Sequence, residues 1–412
     1  MVRSIKIVVF IATTLAVSVL IDRAIGLIAH GHRHDGLLFP PDSKAEYKTT
    51  EFTYTASINS LGFRDREFTL PHGSNYRIVA IGDSFTYGWG VEVEQSWPKI
   101  LERELNNSRL HVEVANLGHP GDGPIQYAET ANKAIPLLHP DLVIVEALQG
   151  DDLSQSIPQT HTIGSLLASE HSLAALIGAL YPNIARLAAA AISANESPAG
   201  AAFKRDHPRM ARLLSAVVHE PSVSAEWKSE QERILGQFNP EEKKRYEDLD
   251  PAVKEAFVHG GLNPALIESA VKHRDAFFQT FDIDDPYVMS LIDAMAKQFE
   301  RIKKVSDRSR AKMIVVSVPF GVYVNDHVFE TWRSYGFHVV PEMLASDSPD
   351  RAVYLACEKA GVEFFTATDA FRSHRDAHFF YTLDGHFNPD GHRFYAEQLT
   401  PALATLIRTN SH

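Results

Sequence analysis

Ser84 closes the run Ile78-Val79-Ala80-Ile81-Gly82-Asp83-Ser84, and three hundred residues on an acid and an imidazole appear together in Asp384-Gly385-His386. A serine hydroxyl attacks poorly at neutral pH unless a base takes its proton and a third group orients that base. Ser84, His386 and Asp384 are the residue types for those three roles. The β-branched run ending in glycine reads as a buried parallel strand that delivers the hydroxyl to the carboxyl edge of a sheet, with the Ser84 backbone amide facing the same crevice. The segment Tyr381–His392 is rich in turn residues and precedes a helix, so it can carry an imidazole without distorting an element. The bland readings are a chance turn at Gly82–Ser84 and a solvated helix-entry loop at Asp384–His386. His392, one helical step further on, is expected to be exposed.

These residues need a sheet to bring them together, and the chain supplies its pattern. Strands are expected at Arg77–Ile81, Val112–Ala115, Asp141–Leu148, Met313–Val318 and Val362–Phe365. Helices are expected between them at Trp97–Asn106 and Ile125–Leu138, and again at the end over Gly391–Ile407. Asp285 can cap a helix with Pro286 at its first position and an apolar stripe of Val288, Ile292, Met295, Phe299 and Ile302. Alternation of this kind argues for a parallel sheet with right-handed crossovers. From Ser154 to about Ile283 the rhythm breaks into a helix-rich insertion or cap, apolar over His171–Ala194 and charged over Lys228–Lys254. Residues 36–72 read as strand and turn packed outside the main sheet. Tyr87, Trp89 and Trp97 could stack on a sugar, but core packing is the commoner fate of aromatics beside a strand end.

With 412 residues and 44% apolar content the chain can bury a large core. A net charge of −12 without a basic run makes nucleic acid an unlikely partner, and one cysteine excludes an internal disulfide or a cysteine-rich metal site. No metal or cofactor is expected. At the N-terminus, Arg3 and Lys6 precede an uncharged run from Ile7 to Ile21, which reads as an uncleaved membrane anchor, with a cleaved signal as the alternative. His30-Gly31-His32-Arg33-His34 lacks metal-site spacing and reads as a polar spacer.

Four blocks in order, Gly82-Asp83-Ser84, Gly121 within Asn116–Asp122, the acidic pair Asp151-Asp152 and Asp384-Gly385-His386, resemble those of the SGNH/GDSL hydrolase family. Asn59–Arg64 and Asp384–His392 are similar to segments of its membrane-anchored bacterial branch. The resemblance covers about residues 50–152 and 284–408. It implies a flavodoxin-like three-layer α/β/α sandwich with a central parallel sheet and a helical insertion. The boundaries expected are 1–29 for the anchor or signal, 30–73 for the juxtamembrane linker and accessory strands, 74–153 and 284–412 for the two halves of the hydrolase domain, and 154–283 for the insertion. It further implies a bacterial inner-membrane, single-pass protein with its catalytic domain extracytoplasmic (periplasmic), or a cleaved secreted form.

The resemblance assigns Ser84 as nucleophile, His386 as base and Asp384 as the acid behind it. It builds the oxyanion hole from the amides of Ser84 and Gly121 and an asparagine side chain. Here Asp151 occupies the asparagine position, and an ionised carboxylate donates no hydrogen bond. Three explanations stand open: a protonated Asp151, an amide supplied instead by Gln149, or a weakened relative. The activity implied is removal or transfer of a small acyl group, acetyl above all, on a carbohydrate or small ester. The alternatives are an envelope binding or assembly protein with a compromised site, and a lipase-like esterase with a helical lid.

Overall fold

The computed structural model describes residues 36–70, 73–157, 225–259, 262 and 264–410. An antiparallel hairpin comes first, β1 (Lys44–Lys48) paired with β2 (Thr53–Ser57). Five strands then form one parallel sheet: β3 (Tyr76–Gly82), β4 (Val112–Gly118), β5 (Leu142–Leu148), β6 (Lys312–Val318) and β7 (Glu363–Thr366). Their order is β4-β3-β5-β6-β7. The order reverses at β3, so its carboxyl end opens on the crevice where such sheets place their ligands.

The helices run in chain order. Before the insertion come α1 (Ser84–Tyr87), α2 (Trp97–Asn107), α3 (Pro124–Leu138) and α4 (Asp152–Gln155). Within it are α5 (Ala225–Gln237), α6 (Pro240–Glu247), α7 (Pro251–Val258) and α8 (Pro264–Lys272). After it follow α9 (Pro286–Arg308), α10 (Asp326–Ser334), α11 (Ser348–Ala360), α12 (Thr368–Arg372) and α13 (Pro389–Asn410).

Strand periodicity sorts the apolar side chains onto two faces. Ile78, Ala80, Val114 and Ile144 join Leu101 and Leu105 of α2 and Leu403 of α13 in one core. Val79, Ile81, Val143 and Val145 join Ile135 of α3, Phe299 of α9 and Val353 of α11 in the other. This is the three-layer α/β/α sandwich expected. The stripe on α9 is buried as its spacing requires, and Asp285 caps that helix by accepting from the N–H groups of Tyr287 and Val288. The described part of the insertion is helical, and Ile234, Phe257, Ile267 and Phe278 extend the first core toward Phe320 and Trp332.

The segment Asn59–Arg64 is a built turn that ties the hairpin to the sheet. Asn59 Oδ1 accepts the N–H of Leu61 and Phe63, while its Nδ2 donates to Arg66 O. Arg64, buried at 1% exposure, donates to the carbonyls of Tyr87, Gly88 and Val91 at 3.0, 2.8 and 2.6 Å. Its guanidinium also lies 4.6 and 4.7 Å from the ring centres of Tyr54 and Tyr87. The loop leaving α1 is therefore held from outside the sheet.

Two expectations are corrected. No helix among the described residues is long and apolar enough to cross a membrane, against a single-pass inner-membrane protein. The anchor at 1–29 and the histidine-rich spacer lie outside the described residues, as does the apolar stretch His171–Ala194. His392 is fully buried rather than exposed, because α13 turns it inward, where its Nδ1 accepts the N–H of Trp97 at 3.3 Å. Burial pulls its pKa down to about 3, so it is a neutral core residue.

Candidate active site

At the end of β3 the chain turns sharply into α1, and Asp83 caps that helix by accepting the N–H of Phe85 at 2.7 Å. Ser84 is the first helical residue, so its N–H has no partner within the helix. Gly82 is required by its neighbours. A Cβ there would lie 2.2 Å from both Glu146 Oε2 and Thr86 Oγ1, the pair that fills the space beneath the turn. Gly118 at the end of β4 lets the strand touch α1, since a Cβ would fall 2.0 Å from the Tyr87 nitrogen.

The loop before α13 supplies the other two groups. Tyr381 and His386 close a turn, Tyr381 N donating to His386 O at 2.9 Å, with Gly385 at φ +84° inside it. That places His386 Nε2 2.7 Å from Ser84 Oγ and His386 Nδ1 2.5 Å from Asp384 Oδ1. Trp89 Nε1 donates to Asp384 Oδ2 at 3.2 Å. Burial opposes charge on the imidazole, but Asp384, then Asp83 and Asp151, outweigh it and hold the His386 pKa above its usual value. Asp384 moves the opposite way: burial raises it, while the charge and hydrogen bonds of His386 and the Trp89 donor bring it below the usual carboxylate range. With Nδ1–H given to Asp384, Nε2 is free to accept the serine proton.

On the other side of Ser84 sits the turn with Gly121, at φ +83°. Among the described residues no group accepts the N–H of Ser84 or of Gly121. Beside them is a cluster of acids. Carboxylate oxygens of Asp83, Asp151 and Asp152 lie within 4.8 Å of one another. Glu146, the charged residue inside the apolar strand β5, reaches up to accept from Asp83 N at 3.0 Å and Thr86 Oγ1 at 2.9 Å through Oε2, leaving its buried Oε1 without a donor. Asp152 accepts from Tyr127 Oη and Leu148 N at 3.1 and 2.9 Å.

Burial pushes all four acids up, with repulsion from neighbouring acids adding to it for Glu146, Asp83 and Asp152: Glu146 rises to about 8, and Asp83, Asp151 and Asp152 lie above the usual carboxylate range. For Asp151 burial alone raises it, while its own backbone, the charge of His386 and the amide of Gln155 pull the other way. Gln155 Nε2 donates to Asp151 Oδ2 at 2.6 Å and packs on Gly123, where a Cβ would lie 2.3 Å from Gln155 Oε1.

Gln149 is not the substitute donor. Its Nε2 is spent on Ser317 Oγ, Asp350 Oδ1 and Thr368 Oγ1 at 3.1, 2.7 and 2.9 Å, and its Oε1 accepts Phe320 N. The residue ties β5 to the far half of the sheet. Tyr87, Trp89 and Trp97 are buried, as their bland reading expects, although the Trp89 indole also serves Asp384. Sequence reasoning missed the acid cluster beneath Ser84, for which Glu146 in the run Leu142–Leu148 was the available signal. It also missed Glu51, whose carboxylate accepts the N–H groups of Leu383 and Asp384.

Residues 80–225 match the model of the GDSL-like Lipase/Acylhydrolase family. That span includes Ser84, Gly121 and Asp151 and ends before Asp384 and His386. No curated protein matches the chain. Among solved structures it is similar to TesA at 10% identity and TM-score 0.34, over 80% of this chain and 99% of that one. It is similar to the psychrotrophic esterase EstA from Pseudoalteromonas sp. at 9% and 0.36, over 81% and 100%. A third likeness is to Axe2, an acetylxylan esterase from Geobacillus stearothermophilus, at 12% and 0.34, over 81% and 95%. Values this low carry nothing about substrate or site residues. The family match places a GDSL-like lipase/acylhydrolase region within this chain, over residues 80–225, and with it the chemistry of an ester-hydrolysing enzyme.

Proposed function

We propose that the protein is a serine esterase whose nucleophile is Ser84, with His386 as base and Asp384 as the group that orients it. The observation that carries this reading is the unbroken run of contacts from Ser84 Oγ to His386 Nε2 and from His386 Nδ1 to Asp384, at 2.7 and 2.5 Å. Ser84 Oγ attacks the ester carbonyl carbon while its proton passes to Nε2. The carbonyl oxygen takes the negative charge and accepts from the N–H groups of Ser84 and Gly121. Collapse breaks the bond to the alkoxide, which leaves with the proton from Nε2. Water, or a second hydroxyl, then attacks the acyl-serine by the same route, giving a free acid or a transferred ester.

Asp151 completes the oxyanion hole in this reading, and it does so as the neutral acid. Its Oδ2 accepts from the Gln155 amide, so the proton that serves the oxyanion is assigned to Oδ1. Burial makes the ionised form costly, while the charge of His386 and the Gln155 amide work against that. The productive state therefore has His386 neutral and Asp151 protonated, two sites that titrate as a coupled pair. The substrate class is a small acyl ester, acetyl on a carbohydrate being the member to which the family resemblance points.

The test is covalent labelling with a fluorophosphonate followed by mapping of the modified residue. Label on Ser84, lost in Ser84→Ala together with p-nitrophenyl acetate cleavage, is the expected result. Label elsewhere, or full activity in the variant, overturns the reading. Comparing acetyl with longer acyl esters of one sugar then tests the substrate class, with the acetyl ester expected to give the highest kcat/KM.

A further inference from the structure

We propose that Glu51 is a positioning residue: from the turn of the β1–β2 hairpin it clasps the loop that carries Asp384 and His386 and fixes the acid against the imidazole. This rests on the triad reading above and adds to it a residue remote from the sheet.

The geometry is specific. Glu51 Oε1 accepts Leu383 N at 2.9 Å, and Oε2 accepts Leu383 N at 3.0 Å and Asp384 N at 2.8 Å, across 332 and 333 residues of chain. One carboxylate thus takes two consecutive backbone N–H groups, the second belonging to the acid itself. The same loop is held at other points by the hairpin side and by Tyr335, the residue that follows α10. Tyr381 Oη donates to Gly90 O at 2.8 Å and its ring packs 4.9 Å from Phe52, beside Glu51. Tyr335 donates to Leu383 O at 3.1 Å. Gly90, at φ +85°, leaves room for the Tyr381 ring, which a Cβ would meet at 2.6 Å.

A carboxylate beside a carboxylate is otherwise unfavourable. Burial and then the charge of Asp384 oppose ionisation of Glu51, and only the amides of Leu383, Asp384 and Thr382 favour it. The contact thus carries an electrostatic cost, offset by a charged acceptor's firmer hold on the two N–H groups. Glu51 acts on His386 through Asp384, whose N–H it holds. The groups facing Asp384 are His386, Trp89, Glu51, Tyr335 and Tyr381, and those facing His386 are Asp384, Asp83, Asp151 and His392.

The experiment compares wild type with Glu51→Ala and Glu51→Gln. Imidazole pKa values are read by NMR on the full chain and kcat and KM with p-nitrophenyl acetate. In Glu51→Ala the loop loses its anchor. The His386 pKa moves down toward the ordinary histidine value, and kcat falls about tenfold to a hundredfold with KM little changed, the size of effect a misplaced catalytic group produces. Glu51→Gln keeps one acceptor oxygen while removing the charge, so it recovers a large part of kcat. A merely structural role would lower Tm and leave the His386 titration and the kcat-to-KM split unmoved; that result overturns the proposal. The NMR titration does not depend on turnover. If fluorophosphonate fails to label Ser84 in wild type while Glu51→Ala still shifts His386, the esterase reading fails and the clasp stands. If labelling succeeds and His386 does not shift, the clasp fails alone.

Discussion

The two sides of Ser84 are built on opposite electrostatic plans. Toward the loop before α13, charges complement each other: Asp384 is drawn below its usual pKa by His386 and Trp89, His386 is drawn up by Asp384, and each polar atom meets a partner. Toward α4, like charges crowd together. Asp83, Glu146 and Asp152 are buried beside the half-buried Asp151, and all four are pushed up. The difference teaches where the protons must be. In the proposed mechanism the first side works with its acid ionised, and Asp151 serves only while it keeps its proton, since an ionised carboxylate would repel a developing oxyanion.

That contrast can be broken from either end. Ser84→Ala should give the largest effect, a loss on the order of 10⁶ in kcat with Tm little changed, measured by ester turnover and thermal melting. On the complementary side, Asp384→Asn should keep the geometry but offer the wrong partner to Nδ1, costing on the order of 10⁴ in kcat. On the crowded side, Asp151→Asn should raise kcat/KM. It supplies a donor that needs no proton, so the gain grows with pH toward the 10²–10³ that one such donor is worth. The decline of wild-type activity as pH rises through the Asp151 pKa should vanish in that variant. The acid limb should remain, because it reports His386 losing its proton, and it should lie above the ordinary histidine value in both.

Deeper in the cluster the effect passes from rate to stability. Glu146 holds its proton in the fold up to about pH 8 but, once unfolded, only below about 4.5. Its contribution to stability is therefore complete below the lower value and is lost as pH rises to the upper one. Tm should fall across that window, and Glu146→Gln should flatten the decline. The smallest effect is expected from Gln155→Leu. Removing the amide that stabilises ionised Asp151 should move the alkaline limb slightly upward, with kcat at its plateau nearly unchanged.

The complementary side was the legible one. Gly82, Asp83 and Ser84 are adjacent in sequence and end a β-branched run, and Asp384 and His386 lie two apart in one turn, so local pattern carried both halves. The sheet was legible for the same reason, through strands such as β5 and β6 that alternate with helices of ordinary length. The crowded side was only half visible. Asp151 stood out as a departure from the family pattern, but the reach of Glu146 from β5 to the Asp83 amide depends on Gly82 having no side chain, a fact of three dimensions. Gln149 was misjudged because nothing local shows that its amide is taken by β6, α11 and α12. Glu51 was invisible because it recognises backbone N–H groups, which leave no mark on the sequence. The same holds for His392, whose burial depends on how α13 meets α2.

The claim that the two sides differ in protonation is tested most directly at Asp151 itself. The side-chain carboxyl ¹³C resonance of Asp151, assigned by its absence in Asp151→Asn, should titrate above the ordinary carboxylate range, with a midpoint that tracks the alkaline limb of wild-type kcat/KM. A carboxyl that ionises at its ordinary value while ester turnover continues undiminished above it would contradict the account.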